Sequence, residues 1–378
     1  MGKENTIEIN GNQLLFDSGE TILEVAQRNN IFIPTLCHLK GATPTGSCRI
    51  CVVEVEGARS LVASCAAPAA RNMVVHTESP EVIRARRTII SLMLSSGNHN
   101  CAIRDFDTKD WTQFQLRVLE EDGNNDLCPA WGDCKLQDLA YRYQVKTKGL
   151  PLSECKYPIE KVNPFIIRDF SRCILCGRCV QACSEIQVNN AIDFGHRGAN
   201  TKIIAGADVP LKDSDCVFCG QCVEVCPVGA LTATGDLEIQ RFAKTKKVRN
   251  TCTFCGVGCQ VEMTVQNNKI VKINSAGEDV APNHGRLCVK GRYGFAFVGS
   301  PERITVPMIR KNGKLEGVTW DEALDLVASK FTEIKNEFGS DSLGVFTSAR
   351  ITNEENYIAQ KFTRAVLKTN NVDHCARL

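Results

Sequence analysis

From Ile7 to Phe16 the chain reads IEINGNQLLF, with apolar and polar positions alternating on either side of Asn10-Gly11. That dipeptide suits a tight turn, so the segment predicts a β-hairpin. Glu20 to Arg28 then carries a short amphipathic helical pattern, and hairpin, helix and cysteines together suggest a small β-grasp domain. Ser79-Pro80 has the form of an N-cap and first helical position, and Val82, Ile83, Ile89, Ile90 and Met93 predict a helix as far as Leu94. Val261 to Ile273 reads as a second hairpin turning at Asn267-Asn268. Thr319 is placed to cap a helix from Trp320 to about Phe338, whose stripe of Ala323, Leu324, Val327, Phe331 and Ile334 is expected to be core. Leu343 to Ser348 reads as a buried strand and Asn353 to Lys368 as a helix, the beginning of an α/β unit. The basic stretch Arg241 to Arg249 is expected to be a solvated linker.

Composition narrows the class. At 378 residues the chain suggests two to four domains. A formal net charge of +2, with no basic block interleaved with aromatics, gives no reason to expect a nucleic acid partner. No apolar run reaches the length of a membrane span, and MGKENTIEING lacks the apolar stretch of a secretory signal, so the chain reads as cytoplasmic. In that compartment 21 cysteines, many in C-x2-C groups, point to metal ligands rather than disulfides.

Cys216, Cys219, Cys222 and Cys226, followed by Pro227, have the spacing of a bacterial ferredoxin run, in which three thiolates hold one cubane and the fourth reaches its neighbour. Cys173, Cys176, Cys179 and Cys183 repeat that spacing, with Ser184 in place of the proline. The expectation is one 4Fe-4S cluster on Cys173, Cys176, Cys179 and Cys226, and another on Cys216, Cys219, Cys222 and Cys183. Such crowding suits adjacent irons better than separated zinc knuckles.

Three further sets are less regular. Cys252, Cys255, Cys259 and Cys288 form a four-cysteine group whose last ligand returns after a hairpin, with structural zinc as the alternative to a 4Fe-4S cluster. Lys290, just beyond it, is either a solvated lysine or a charge between this cluster and a second cofactor. Cys37, Cys48, Cys51 and Cys65 can hold a 2Fe-2S cluster, and the small residues of TPTGSCRIC let the backbone wrap closely round it. His99, Cys101, Cys128 and Cys134 are expected to hold a 4Fe-4S cluster with one imidazole ligand. Cys155 and Cys375 are left over and read as small buried hydrophobes.

On these motifs the first part of the chain resembles the N-terminal region shared by the complex I large iron-sulfur subunit, iron-only hydrogenases and some cytoplasmic formate dehydrogenases. The segments NTCTFCGVGC, LCVKGRYGFAFV, VTWDEALDLVASKF, TNEENYIAQKFTRA and NNVDHCARL resemble the start of a molybdenum- or tungsten-dependent formate dehydrogenase catalytic subunit, and hydrogenase motifs for a catalytic cluster are absent. The resemblance implies an α+β multidomain chain. Its expected parts are a β-grasp 2Fe-2S domain over 1–79, a histidine-ligated 4Fe-4S domain over 80–160 and a two-cluster ferredoxin module over 161–240. A 4Fe-4S subdomain over 249–305 and the start of a molybdopterin-binding α/β domain over 306–378 follow.

The resemblance also implies a molybdenum or tungsten bis-pterin guanine dinucleotide in the complete enzyme, with Lys290 on the electron path to the Cys252 cluster. No catalytic residue is expected within the chain, because the family's metal-binding cysteine or selenocysteine would come just after Leu378, and an end there is what a selenocysteine codon read as stop would produce. The implied partners are flavin- and NAD(P)-binding iron-sulfur subunits of a soluble complex, with ferredoxin or a hydrogenase module as a further acceptor. The competing readings are a complex I large-subunit relative and a non-catalytic electron relay or scaffold.

Overall fold

The computed structural model describes residues 5–104, 109–122, 128–146, 150, 157–238 and 244–375. It divides into two compact units, Met1–Phe242 and Ala243–Leu378.

The first unit begins with strands β1 (Thr6–Ile9) and β2 (Asn12–Leu15), joined by Asn10 and Gly11 at φ 51° and 82°, the left-handed pair that matches strand twist. Helix α1 (Ile22–Arg28) starts at a capping box in which Thr21 accepts from the Glu24 amide and Glu24 accepts from the Thr21 amide. Strands β3 (Val52–Val55), β4 (Val62–Ala63) and β5 (Val74–His76) complete a five-stranded sheet of order β2-β1-β5-β3-β4. Only the β1–β5 pairing is parallel. Ile7, Ile9, Val53 and Val75 face α1 and pack with Ile22, Leu23 and Val25 into a core that also takes in Cys51 and Cys65. This is a β-grasp arrangement, as the pattern predicted.

Helix α2 (Pro80–Ser95) is capped by Ser79 as expected. It packs with α3 (Trp111–Asp122) and α4 (Lys135–Arg142), neither of which the hydrophobic pattern had delimited. Their core joins Ile90, Leu94, Phe114, Val118, Leu136 and Leu139 to Leu36 and Ile50 from the β-grasp side and to Val228 and Ala230 from the cysteine-rich repeat. Arg86, 0% exposed, binds these parts together. Its guanidinium donates to the Ile50 and Val52 carbonyls, to Glu78 and to the Tyr143 hydroxyl. A buried charge is tolerated because every face of it is met by an acceptor.

The repeat forms two short antiparallel ladders. Strand β6 (Ile166–Arg168) pairs with β9 (Leu231–Ala233), and β7 (Ile192–Gly195) pairs with β8 (Lys202–Ala205). Between them lie α5 (Arg178–Gln181) and α6 (Gln221–Val225), which open on Gly177 and Gly220 at φ 76° and 72°. The residues two before those glycines, Leu175 and Phe218, both sit at φ 52°. The two cysteine loops therefore repeat in backbone as well as in sequence.

The second unit opens with β10 (Thr245–Thr251), β11 (Gln260–Gln266) and β12 (Lys269–Ser275) in one antiparallel sheet. The part of the expected linker from Thr245 to Arg249 is thus an edge strand. Its exposed lysines read as a solvated stretch because only its backbone is used, in pairing with β11; Arg241 to Ala243 lie outside the described residues. Val261, Ile273 and Leu287 form this sheet's core. Helix α7 (Val289–Tyr293) and the hairpin β13 (Met308–Lys311) and β14 (Lys314–Gly317) follow.

Helix α8 (Trp320–Phe338), capped by Thr319, strand β15 (Val345–Thr347), helix α9 (Asn353–Phe362) and strand β16 (Val372–His374) make an α/β unit in which β15 and β16 run parallel. The α8 stripe is not core. No residue of the helix is buried, and Leu324 and Val327 are 58% and 47% exposed. The strand expected to be buried buries only Leu343, while Phe346 is 91% exposed. A two-stranded sheet has too little face to cover the apolar stripe of a 19-residue helix.

Candidate iron-sulfur sites

The two ferredoxin-type loops bring their cysteines together across the repeat. Cys226 is an electrostatic neighbour of Cys173, Cys176 and Cys179, and Cys183 of Cys216 and Cys222. Backbone amides aim at the sulfurs, with Leu175 N 3.4 Å from Cys173 Sγ, Phe218 N 3.4 Å from Cys216 Sγ and Ala191 N 3.3 Å from Cys183 Sγ. Burial pushes the Cys173 thiol up to about 11 and the Cys176 thiol to about 12. Thiols that resist ionisation in apolar surroundings, yet face converging amide donors, suit a cationic centre that would offset thiolate charge.

At the β-grasp end Cys37 and Cys48 pair, as do Cys51 and Cys65, and in each pair the thiol hydrogen bond lowers one partner and raises the other. Cys37, Cys51 and Cys65 are buried and Cys48 partly so. The Cys48 amide lies 3.5 Å from Cys37 Sγ. The bend holding Cys48 and Cys51 also reaches the ferredoxin loops, since Glu185 accepts from the Thr43 amide at 2.7 Å.

In the third set Cys134 lies near Cys128, and Cys101 shares its core. Burial raises the Cys134 thiol to about 12, with the nearby Cys128 and Cys226 adding to it. His99 stands on a loop anchored to the repeat: the Asn98 amide donates to the Ser171 carbonyl at 2.8 Å, and Arg172 donates to the Asn98 carbonyl at 3.1 Å. A Cβ on Gly97 would fall 2.3 Å from the Ser171 carbonyl oxygen, so the approach requires glycine there. Burial, with Arg172 adding to it, lowers the His99 imidazole to about 4, and its Nε2 atom is buried with no hydrogen-bond partner. A neutral ring with an orphaned nitrogen is the state a metal-ligating imidazole needs. No described contact joins His99 directly to the three cysteines.

In the second unit Cys252 and Cys259 each have Cys255 and Cys288 as electrostatic neighbours, and Cys255 and Cys288 are exposed. Lys290 is exposed on α7. Of the leftover cysteines, Cys155 lies outside the described residues. Cys375 is exposed rather than buried, with Sγ 3.6 Å from Ser348 Oγ, because the end of β16 projects beyond the small sheet. Among the described residues no three His, Cys, Asp or Glu side chains converge on a single metal ion. A cubane instead spreads its ligands over several irons.

Residues 2–80 match the 2Fe-2S iron-sulfur cluster binding domain and residues 172–230 the 4Fe-4S dicluster domain. Residues 245–300 match the molybdopterin oxidoreductase Fe4S4 domain and residues 303–378 the molybdopterin oxidoreductase family. The chain is a string of iron-sulfur domains leading into a molybdopterin oxidoreductase domain. YrhE of Bacillus subtilis (strain 168), provisionally named a formate dehydrogenase, is 33% identical over 99% of this chain. YjgC of the same organism, provisionally named an oxidoreductase, is 32% identical over all of it. The chain spans about 40% of the length of each. Among solved structures, a chain of an NAD+-reducing NiFe-hydrogenase in the H2-reduced state is 32% identical, with a TM-score of 0.50 over 61% of this chain and 87% of that one. Among the described residues no helix is long and apolar enough to cross a membrane.

Sequence reasoning passed over the buried arginines of the repeat, Arg172 and Arg178. The signal was present in the alignment of the two cysteine runs, where both differ in charge from their counterparts.

Proposed function

We propose that this chain is the electron-transfer portion of a molybdenum- or tungsten-dependent formate dehydrogenase, carrying one 2Fe-2S and four 4Fe-4S clusters on the twenty ligands named above. The observation that carries the reading is the order of parts along one chain: four domains that match iron-sulfur and molybdopterin oxidoreductase families, the last pair placing the Cys252 set directly before an α/β unit. In that unit a cavity of about 400 Å³ opens at the carboxyl ends of the parallel strands β15 and β16, lined by Thr347, Ser348, Asn356 and His374 among others. Ligands of open α/β sheets bind at such an edge.

Four hundred cubic ångströms take only part of a bis-pterin guanine dinucleotide. The metal ligand, a cysteine or selenocysteine in the family that the sequence resembles, would come from the portion of the relatives that these 378 residues do not span. When bound, such a cofactor supplies the two-electron chemistry of formate giving carbon dioxide, a proton and two electrons. The chain's own residues would then move charge. Cys252, Cys255, Cys259 and Cys288 would receive electrons past Lys290, the ferredoxin pair would pass them on, and the His99 and Cys37 sets would deliver them to a flavin- and NAD(P)-binding partner subunit. The likeness to a chain of an NAD+-reducing hydrogenase supports that partner chemistry.

The test is formate-dependent reduction of the iron-sulfur signals in the assembled, metal-replete complex. Formate should reduce them, and a complex with its metal confirmed by elemental analysis that formate leaves oxidised would overturn the reading. The 378-residue chain by itself should accept electrons from dithionite and turn over no formate.

A further inference from the structure

The two cysteine runs of the repeat align residue by residue without a gap, and three of the differences between them change charge. RCILCGRCVQAC begins at Arg172 and DCVFCGQCVEVC at Asp215. Arg172 thus answers to Asp215, Arg178 to Gln221 and Gln181 to Glu224. All three differences make the Cys173 run more positive and the Cys216 run more negative.

Arg178 and Gln221 are the informative pair. Each is the first residue of its helix, directly after the left-handed glycine, and each is buried, at 9% and 7% exposed. The Arg178 guanidinium is an electrostatic neighbour of Cys176 and Cys226, which come from different runs and meet at the same site. Other charges oppose the asymmetry, and just outside the runs Asp169 answers to Lys212 and Glu185 to Val228. Arg172 is ion-paired with Asp169 at 3.1 Å, and Arg168, which faces Cys216, is ion-paired with Glu160.

We propose that Arg178 against Gln221 sets the direction of electron flow across the repeat, making the site of Cys173, Cys176, Cys179 and Cys226 the more easily reduced of the two. In the step, one electron leaves the Cys216 site, which is oxidised by one, and arrives at the Cys173 site, which is reduced by one, with no proton transferred. The first electron comes from a low-potential donor. A buried positive charge lowers the cost of adding an electron next to it, and little solvent is present to screen the effect. Flow would then run toward the His99 set, since Cys226 is an electrostatic neighbour of Cys134. Arg178 is a positioning residue for charge; it takes no part in bond making. The inference rests on the proposed assignment of these eight cysteines to two cubanes.

The experiment is redox-titrated electron paramagnetic resonance on the full chain, purified anaerobically and reduced with dithionite, with iron measured in parallel. Among the four cubane midpoints expected of the wild type, the two of the repeat are those lost in Cys179→Ala and in Cys222→Ala. Arg178→Gln, which installs the residue the other run already uses, should lower the upper one enough to change the electron-sharing equilibrium at least tenfold, about 59 mV for one electron. Arg178→Lys should restore most of the gap, Gln221→Arg should raise the lower midpoint, and the double exchange should invert the order. If Arg178→Gln loses iron, Gln221→Arg still decides, since it must raise the lower midpoint. Unshifted midpoints in iron-replete Arg178→Gln and Gln221→Arg would overturn the proposal while leaving the cubane assignment standing. Cys179→Ala and Cys222→Ala chains that lose no cubane signal would overturn both.

Discussion

In the ferredoxin-type repeat Cys179 is buried and the other seven cysteines of the runs are half-buried, enclosed by paired loops and short ladders. In the second unit the Cys252 set has two exposed members, Cys255 and Cys288, beside a three-stranded sheet with a small core. In both, a set takes three thiolates from one loop and a fourth from a distant segment, yet the first is built into the protein and the second onto its surface. Burial decides what water, oxidants and chelators reach, and how strongly a nearby charge is felt. The first arrangement suits a relay insulated by its own fold. The second suits a site that another body of protein covers, and the uncovered stripe on α8 repeats that message in the same unit.

The largest effect should come from iron itself. The anaerobic chain should hold about 18 iron atoms, and a chelator in air should remove about 4 of them first, from the Cys252 set. Cys255→Ala should abolish that fast phase. If a Cys222→Ala chain loses the fast phase instead, the comparison is inverted, and stoichiometric zinc in place of about 4 irons would remove a cubane from the count.

The His99 set tests whether enclosure extends beyond the repeat. His99→Cys should keep that cluster and lower its midpoint, because a thiolate adds negative charge where neutral imidazole stood, and His99→Ala should lose that cluster alone. Paramagnetic resonance spectra unchanged in both variants would return His99 to a structural role beside Arg172.

Smaller still is the cost of loosening the joint between the first unit's parts. Arg86→Met should destabilise the first unit by about 3 kcal/mol, since the buried Ile50 and Val52 carbonyls lose their donor. Urea unfolding followed by far-ultraviolet circular dichroism measures it, and a change under about 0.5 kcal/mol, the range of a plain surface substitution, would mean that the joint does not depend on this arginine.

The smallest expected effect is at Asp208, whose carboxylate Lys202 and, less strongly, His196 hold below the usual carboxylate range. A depressed folded-state pKa contributes stability above the unfolded value, and that contribution fades as pH falls through the folded one. Asp208→Asn should therefore be slightly less stable than wild type at pH 7 and indistinguishable from it near pH 2. Equal thermal midpoints at both pH values would show that this exposed cluster contributes nothing.

Much of the proposed chemistry was legible without coordinates because three of the four ligands of each ferredoxin-type cubane come from one C-x2-C-x2-C run, and chain order constrains which thiols such a run can bring together. The Asn10-Gly11 turn, the Ser79 and Thr319 caps and the two cysteine runs are likewise local, and local sterics and hydrogen bonding determine them. Tertiary structure decided what depends on surroundings. The lysines of β10 look solvated whether or not their backbone pairs with β11. The apolar stripe of α8 predicts a partner face but says nothing of whether these residues provide one. The Nε2 atom of His99 is buried without a partner on a loop that Gly97 lets lie against Ser171 of the repeat, and no local pattern shows that. Arg178 reads as one more surface cation until the fold withdraws it from water, and in that lower dielectric its charge gains weight.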